Sequence, residues 1–205
     1  MAPFYSRREF LKKYAELFSI LLPSLALGGI TPFAHGASTR VSSLSNDPFT
    51  LGVASGDPTS DAVVLWSRIA TEVLKEDGFA DKAVQVDYEI SESSSFQKVI
   101  RSGAVVATPE LGHSVHADVR GLKPDQTYFY RWHIGGATSQ TGRTKTAPLA
   151  SASKQEFRLA FASCQQYEHG YFTAYKHMAE ENFDLIVHLG DYIYERSWGN
   201  NLIRR

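Results

Sequence analysis

Two apolar runs bracketing one helical stretch, between residues 157 and 195, constrain this chain more than any other feature. In the first, Phe157, Leu159 and Phe161 alternate with Arg158 and Ala160, and the run breaks at Ser163-Cys164-Gln165-Gln166. That is the pattern of a strand feeding a polar loop. From Tyr171 the apolar residues Tyr171, Phe172, Tyr175, Met178 and Ala179 recur at helical spacing, with Lys176, Glu180 and Glu181 on other faces. Asp184 then opens Leu185-Ile186-Val187-His188-Leu189, a nearly continuous apolar run of the kind buried on both faces of a parallel sheet. Strand, helix and strand predict a βαβ unit.

A crossover between parallel strands puts both strand ends at one edge of the sheet, so Cys164 and Asp191 are expected to leave their strands on the same side. Open α/β sheets place ligands outside that edge. Gly190 gives the backbone room to turn there, and the phenol of Tyr194 follows Asp191 by three residues. A thiolate, a carboxylate and a phenolate converging on one point suit a hard, highly charged cation such as ferric iron, with one Asp191 oxygen free to bridge to a second ion. A Cys164 sulfur standing roughly 5 Å or more from the Asp191 carboxylate would rule this out.

At these residues the chain resembles the alkaline phosphatase D (PhoD-like) metallophosphatases. The resemblance lies in Phe-Ala-Ser-Cys-Gln at 161–165, Gly-Tyr-Phe-Thr-Ala-Tyr at 170–175 and His-Leu-Gly-Asp-Tyr-Ile-Tyr-Glu at 188–195. It implies a four-layer metallophosphatase-type domain with Fe3+ and Ca2+ at the active site, hydrolysing phosphate monoesters and diesters. By motif, Cys164 and Tyr194 resemble the iron ligands and Asp191 the carboxylate bridging iron to calcium. Gly-Asp-x-x-Tyr also resembles the iron-tyrosinate motif of purple acid phosphatases, but those keep an Asp-x-His pair at the first strand end, where this chain has Ser163-Cys164-Gln165.

The start of the chain has a separate character. Ser6-Arg7-Arg8-Glu9-Phe10-Leu11-Lys12 precedes an apolar segment from about Leu17 to Ile30, and Ala34-His35-Gly36-Ala37 supplies small residues. This reads as a twin-arginine export signal over 1–37. The alternative, a membrane anchor, falls short of the roughly 20 apolar residues needed to span a bilayer and is interrupted by Pro23, Gly28 and Gly29. The expectation is a periplasmic or extracellular protein handed over folded, and often metal-loaded, by the twin-arginine translocase. Cys164 is the one cysteine, so no intrachain disulfide can form despite an oxidising destination. A lone thiol at a strand end facing Gly-Asp-x-x-Tyr then reads as a ligand, against the plainer reading of a small buried hydrophobe. A formal net charge of −1 leaves no basic footprint for nucleic acid, and a monomer is expected.

Between 47 and 148 short alternating runs are separated by turn residues, at about 51–55, 62–69, 84–91, 99–106, 114–119, 127–134 and 138–146. Seven such strands predict a β-sandwich. Val84, Val86, Tyr88 and Ile90 share a face, as do Val115, Ala117 and Val119, and Tyr128, Tyr130, Trp132 and Ile134. Gly121 to Tyr128 resembles the tyrosine corner of fibronectin type III domains. The PhoD-like family carries a similar N-terminal sandwich, and Leu51 to Pro58 resembles its opening strand. The fold class expected is therefore an all-β fibronectin type III-like sandwich, a linker at 147–155, and the start of an α/β metallophosphatase-type domain over 156–205.

Other polar residues read as structural. His116 and His133 fall on outward positions, and His113 lies in a glycine-flanked turn, so all three are expected to be exposed. Asp57 reads as a turn residue and Trp66 as core packing or an interdomain wedge. His188 reads as a buried histidine satisfied by a backbone partner, and His169 and His177 fit a loop and a helix surface. Tyr192 and Glu195 read as groups orienting the ligands or as packing and solvent-facing residues; Gln165 and Gln166 are candidate donors to phosphate oxygens.

About 50 residues after 156 are too few to cover both faces of a parallel sheet, so that region reads as an incomplete domain, either a fragment or a truncated gene product. A two-metal hydrolase needs further ligands, with only Asn200 or Asn201 on offer after Glu195. The expected function is a phosphoric ester hydrolase acting on small phosphate esters or wall-polymer phosphodiesters, with these 205 residues inactive alone. The alternative is an exported sandwich that binds a wall polymer or partner, its βαβ unit vestigial.

Overall fold

The computed structural model describes residues 38–153, 156–197 and 199. The export-signal segment 1–37 and the candidates Asn200 and Asn201 lie outside the described residues. Alternation sets the first part of the fold. Strands β1 (Val53–Gly56), β2 (Ala62–Arg68) and β5 (Ser114–Arg120) form one antiparallel sheet in the order β1-β2-β5. The second sheet runs β4 (Val99–Ala107), β3 (Val84–Ser91) and β6 (Thr127–Ile134), with β7 (Ala137–Thr138) and β8 (Gly142–Lys145) both pairing with β6. Val63 and Leu65 of β2 and Val115, Ala117 and Val119 of β5 face Val84, Val86 and Ile90 of β3 and Tyr128, Tyr130, Trp132 and Ile134 of β6 in one buried core. The two sheets thus make a sandwich, with alternate side chains buried most regularly in β5 and β6. The segment before Asp47 joins the same core, since Thr39 bridges to Val84 in parallel and Val41 is buried.

Several local features depart from the simple alternation. The expected strand 138–146 is split: Thr138 pairs with His133 but Gly142 pairs with Tyr130, so one extra residue is inserted between the two halves. The Ser139 hydroxyl fills the gap, accepting the Trp132 N–H at 2.9 Å. Tyr88 is only half-buried, and a bulge between Ile90 and Ser91 turns Ser91 inward to 1% exposure. Helix α1 (Thr71–Glu76), for which the alternation gave no sign, lays Val73 and Leu74 into the core. The tyrosine corner is present, with the Lys123 N–H donating to the Tyr128 hydroxyl at 2.8 Å.

His113 corrects the expectation of an exposed histidine. It is 1% exposed, because a left-handed turn (φ 57°) after a 3-10 turn at Pro109–Leu111 folds the ring under the chain, where Nε2 meets the Ala80 carbonyl at 2.9 Å. His116 is exposed, and His133 lies half-buried 3.3 Å from Glu89. Trp66 is not in the core: it sits half-buried on the outer face of β2, opposite Ala54 and His116.

After the sandwich, β9 (Leu159–Ala162), helix α2 (Thr173–Glu180) and β10 (Leu185–His188) form the expected unit, with β9 and β10 parallel and His188 in register with Ala162. The expected burial on both faces is not found: Leu159, Phe161 and Ile186 are 50%, 68% and 52% exposed, because two strands and one short helix cannot cover each other. The unit is tied to the sandwich at the beginning of its strands. Lys145 of β8 reaches Asp184 Oδ1 at 2.5 Å and Asp125 at 3.1 Å, while Asp184 Oδ2 accepts the Arg158 N–H at 2.9 Å. Arg143 adds a bond to the Asn182 side chain at 3.2 Å. The opposite strand ends are thereby left open.

Candidate metal centre

The parallel ladder continues one residue past the strands, where the Leu189 N–H donates to the Ala162 carbonyl at 2.8 Å. The two loops then lock together, the Cys164 N–H donating to the Gly190 carbonyl at 3.1 Å. Gly190 turns with φ 120°, and Cys164 and Asp191 both adopt left-handed backbone, with φ 57° and 51°. Non-glycine residues there carry strain of about 1 kcal/mol or more, which tends to persist at functional sites.

This backbone delivers three side chains to one oxygen. The Cys164 thiol donates to Asp191 Oδ2 at 3.6 Å, inside the separation that would have ruled out a shared site, and the Tyr194 hydroxyl donates to the same Oδ2 at 2.9 Å. The hydrogen bond to Asp191 holds the Tyr194 proton and raises its pKa above the ordinary phenol value, with smaller contributions from burial and Cys164. Two protons thus sit where a cation would replace them, and loss of both would present sulfur, carboxylate and phenolate to one point. Among the described residues no group of three or more His, Cys, Asp and Glu side chains has metal-holding spacing. It is the phenol that makes this set three.

Beside the trio lies a groove of about 740 Å³ whose lining includes Gln165, Tyr167, Phe172, Tyr192, Tyr194 and Arg196. That volume admits a small organic ligand. The Gln165 amide reaches the Tyr192 carbonyl at 3.5 Å and the Gln166 amide reaches Glu168 at 3.4 Å, so both glutamines brace the loop. Tyr192 and Glu195 are exposed, His177 lies on the surface of α2, and His169 is in a turn. His188 does find a backbone partner: its Nδ1 accepts the Gly190 N–H at 3.3 Å. Sequence reasoning did not identify the Gly190 peptide as the tie between the two loops. The spacing His-x-Gly immediately before Asp191 was the available signal.

Residues 35–148 match the family model for the N-terminal domain of PhoD-like phosphatases, and residues 159–204 match that for the PhoD-like phosphatase itself. Alkaline phosphatase D of Bacillus subtilis (strain 168) is 46% identical over 191 residues, which cover 93% of this chain and 32% of the relative. A solved structure titled "Structure of PhoD" superposes with a TM-score of 0.69 at 53% identity, covering 73% of this chain and 29% of that one. The chain therefore spans about a third of the length of the curated relative it matches. With both matched stretches falling on the sandwich and on the loops that carry Cys164, Asp191 and Tyr194, the chain belongs to the PhoD-like phosphatase family.

Proposed function

We propose that Cys164, Asp191 and Tyr194 are metal donors of a phosphoric ester hydrolase, with Cys164 and Tyr194 on Fe3+ and Asp191 between Fe3+ and Ca2+. One observation carries the reading: the thiol and the phenol both point their protons at a single oxygen of Asp191. The family is in general metal-dependent, which agrees with it. When bound, the ions supply a water of lowered pKa and neutralise charge on the phosphate and its leaving oxygen. Asp191 would hold both ions, since the Cys164 and Tyr194 contacts use Oδ2 alone and a carboxylate has a second oxygen to offer. Cys164 and Tyr194 each release a proton on binding, so affinity rises with pH. Tyr167, Phe172 and Tyr192 give the groove an apolar wall for the organic part of a small phosphate ester or a wall-polymer phosphodiester.

The proposal extends to export by the twin-arginine translocase, a periplasmic or extracellular location and a monomeric chain, supported by the Arg7-Arg8 pattern and the following apolar segment. The test is elemental analysis of the purified protein after loading with ferric iron. Bound iron with a visible tyrosinate charge-transfer band is expected, lost in Cys164→Ser and Tyr194→Phe. Iron that stays fully bound in both variants refutes the assignment. Three donors do not complete a two-metal centre, so these 205 residues alone are expected to show no turnover of phosphate esters. Measurable hydrolysis with added iron and calcium refutes that part.

A further inference from the structure

His188 closes β10 three residues before Asp191, and its ring is held on three sides. Nδ1 accepts the Gly190 N–H at 3.3 Å, Nε2 lies 3.4 Å from the Tyr175 hydroxyl of α2, and the ring meets the Tyr192 ring edge-on, centroids 4.8 Å apart at 74°. A backbone N–H can only donate, so Nδ1 must carry a lone pair, and the neutral ring then bears its proton on Nε2 and donates to Tyr175. The other end of the Gly190 peptide unit's neighbourhood is fixed too, because the Gly190 carbonyl accepts the Cys164 N–H at 3.1 Å. A continuous chain of contacts therefore runs from Tyr175 through His188 and Gly190 to Cys164, with Asp191 the next residue along.

We propose that His188 is a positioning residue: held by Tyr175, its Nε2-protonated ring fixes the Gly190 turn and so sets the separation of the Cys164 thiol from the Asp191 carboxylate. The functional meaning rests on the metal-donor reading above, but the geometry is testable without metal. Groups that orient donors from behind are commonly worth about 10- to 100-fold in metal affinity.

Long-range proton–nitrogen spectra of the full chain, metal-free, are expected to show His188 as the Nε2–H tautomer; the Nδ1–H tautomer overturns the proposal with no variant needed. In His188→Phe, which keeps an aromatic ring and loses the acceptor, Gly190 amide exchange is expected to quicken about 5- to 10-fold, the effect of one ordinary hydrogen bond. Retention of ferric iron, supplied as its nitrilotriacetate complex, should weaken about 10- to 100-fold. His188→Asn restores an acceptor near the Nδ1 position and is expected to recover both. Unchanged Gly190 exchange in the Phe variant, or no recovery in the Asn variant, overturns the positioning role. Absence of iron binding by the unaltered chain sinks the metal reading instead, while the tautomer and exchange results still decide the role of His188.

Discussion

Replacing Asp184 by Asn tests how the βαβ unit is held. Its carboxylate is 13% exposed and takes two donors at once, the Lys145 ammonium on Oδ1 and the Arg158 N–H on Oδ2, at 2.5 and 2.9 Å. An amide offers one acceptor and one donor, so whichever way it turns, an N–H faces an N–H or an ammonium. Breaking a fully buried ion pair costs roughly 3–5 kcal/mol and an exposed one almost nothing. With Lys145 28% exposed and still reaching Asp125 at 3.1 Å, the loss is expected near 2 kcal/mol, about a 30-fold rise in local opening. Amide exchange read by mass spectrometry should show that rise in peptides covering β9 and β10 while β3 and β6 keep their protection. Lys145→Met should reproduce most of it, and the double variant should fall short of the sum because one contact is counted in both. Unchanged exchange in β9 and β10, or an equal loss in the sandwich, would refute the claim that this contact holds the unit.

Three further outcomes concern the sandwich. Burial raises Tyr130 to about 12 from its ordinary 10.0, and a phenol that ionises later in the folded state favours folding only while the unfolded phenol is still protonated. The contribution of Tyr130 to stability is therefore expected to be constant below pH 10 and to fall by roughly 2–3 kcal/mol between pH 10 and 12. Tyr130→Phe should flatten that limb in urea titrations, and an identical limb would assign it elsewhere. Tyr128→Phe leaves the Lys123 N–H without its 2.8 Å partner and should lower the urea-derived stability by about 1–3 kcal/mol, with no loss counting against the corner as a stabilising element. In Gly142→Ala the new methyl would stand 2.2 Å from the buried Tyr130 ring, so a loss of about 3 kcal/mol is expected, and a melting temperature like that of the unaltered protein would show that the ring can move.

The sandwich was legible because its strands bury one face each: Tyr128, Tyr130, Trp132 and Ile134 read inward in sequence and lie inward in space. What escaped were places where one residue changes the count. The insertion near Ser139 and the bulge at Ser91 shift the register without disturbing hydropathy, and α1 is too short for helical periodicity to declare itself. His113 was misjudged because a glycine-flanked turn reads as surface, whereas its left-handed backbone carries the ring inward. At the candidate site, parallel topology alone placed Cys164 and Asp191 together and three-residue spacing added Tyr194. The bracing of Gly190 by His188 is local and shows only as the His-x-Gly spacing, whereas the contact of His188 with Tyr175 joins β10 to α2 and leaves no local pattern.

If Cys164 and Asp191 are the metal donors proposed above, their left-handed backbone sets folding and ligand capture against each other. Glycine at either position relieves conformational tension and removes a donor in the same stroke. A library selected for thermal resilience would be drawn toward glycine at both positions, and one selected for iron capture would be driven away from it. The two selections, run on the same pool, would separate on just these codons.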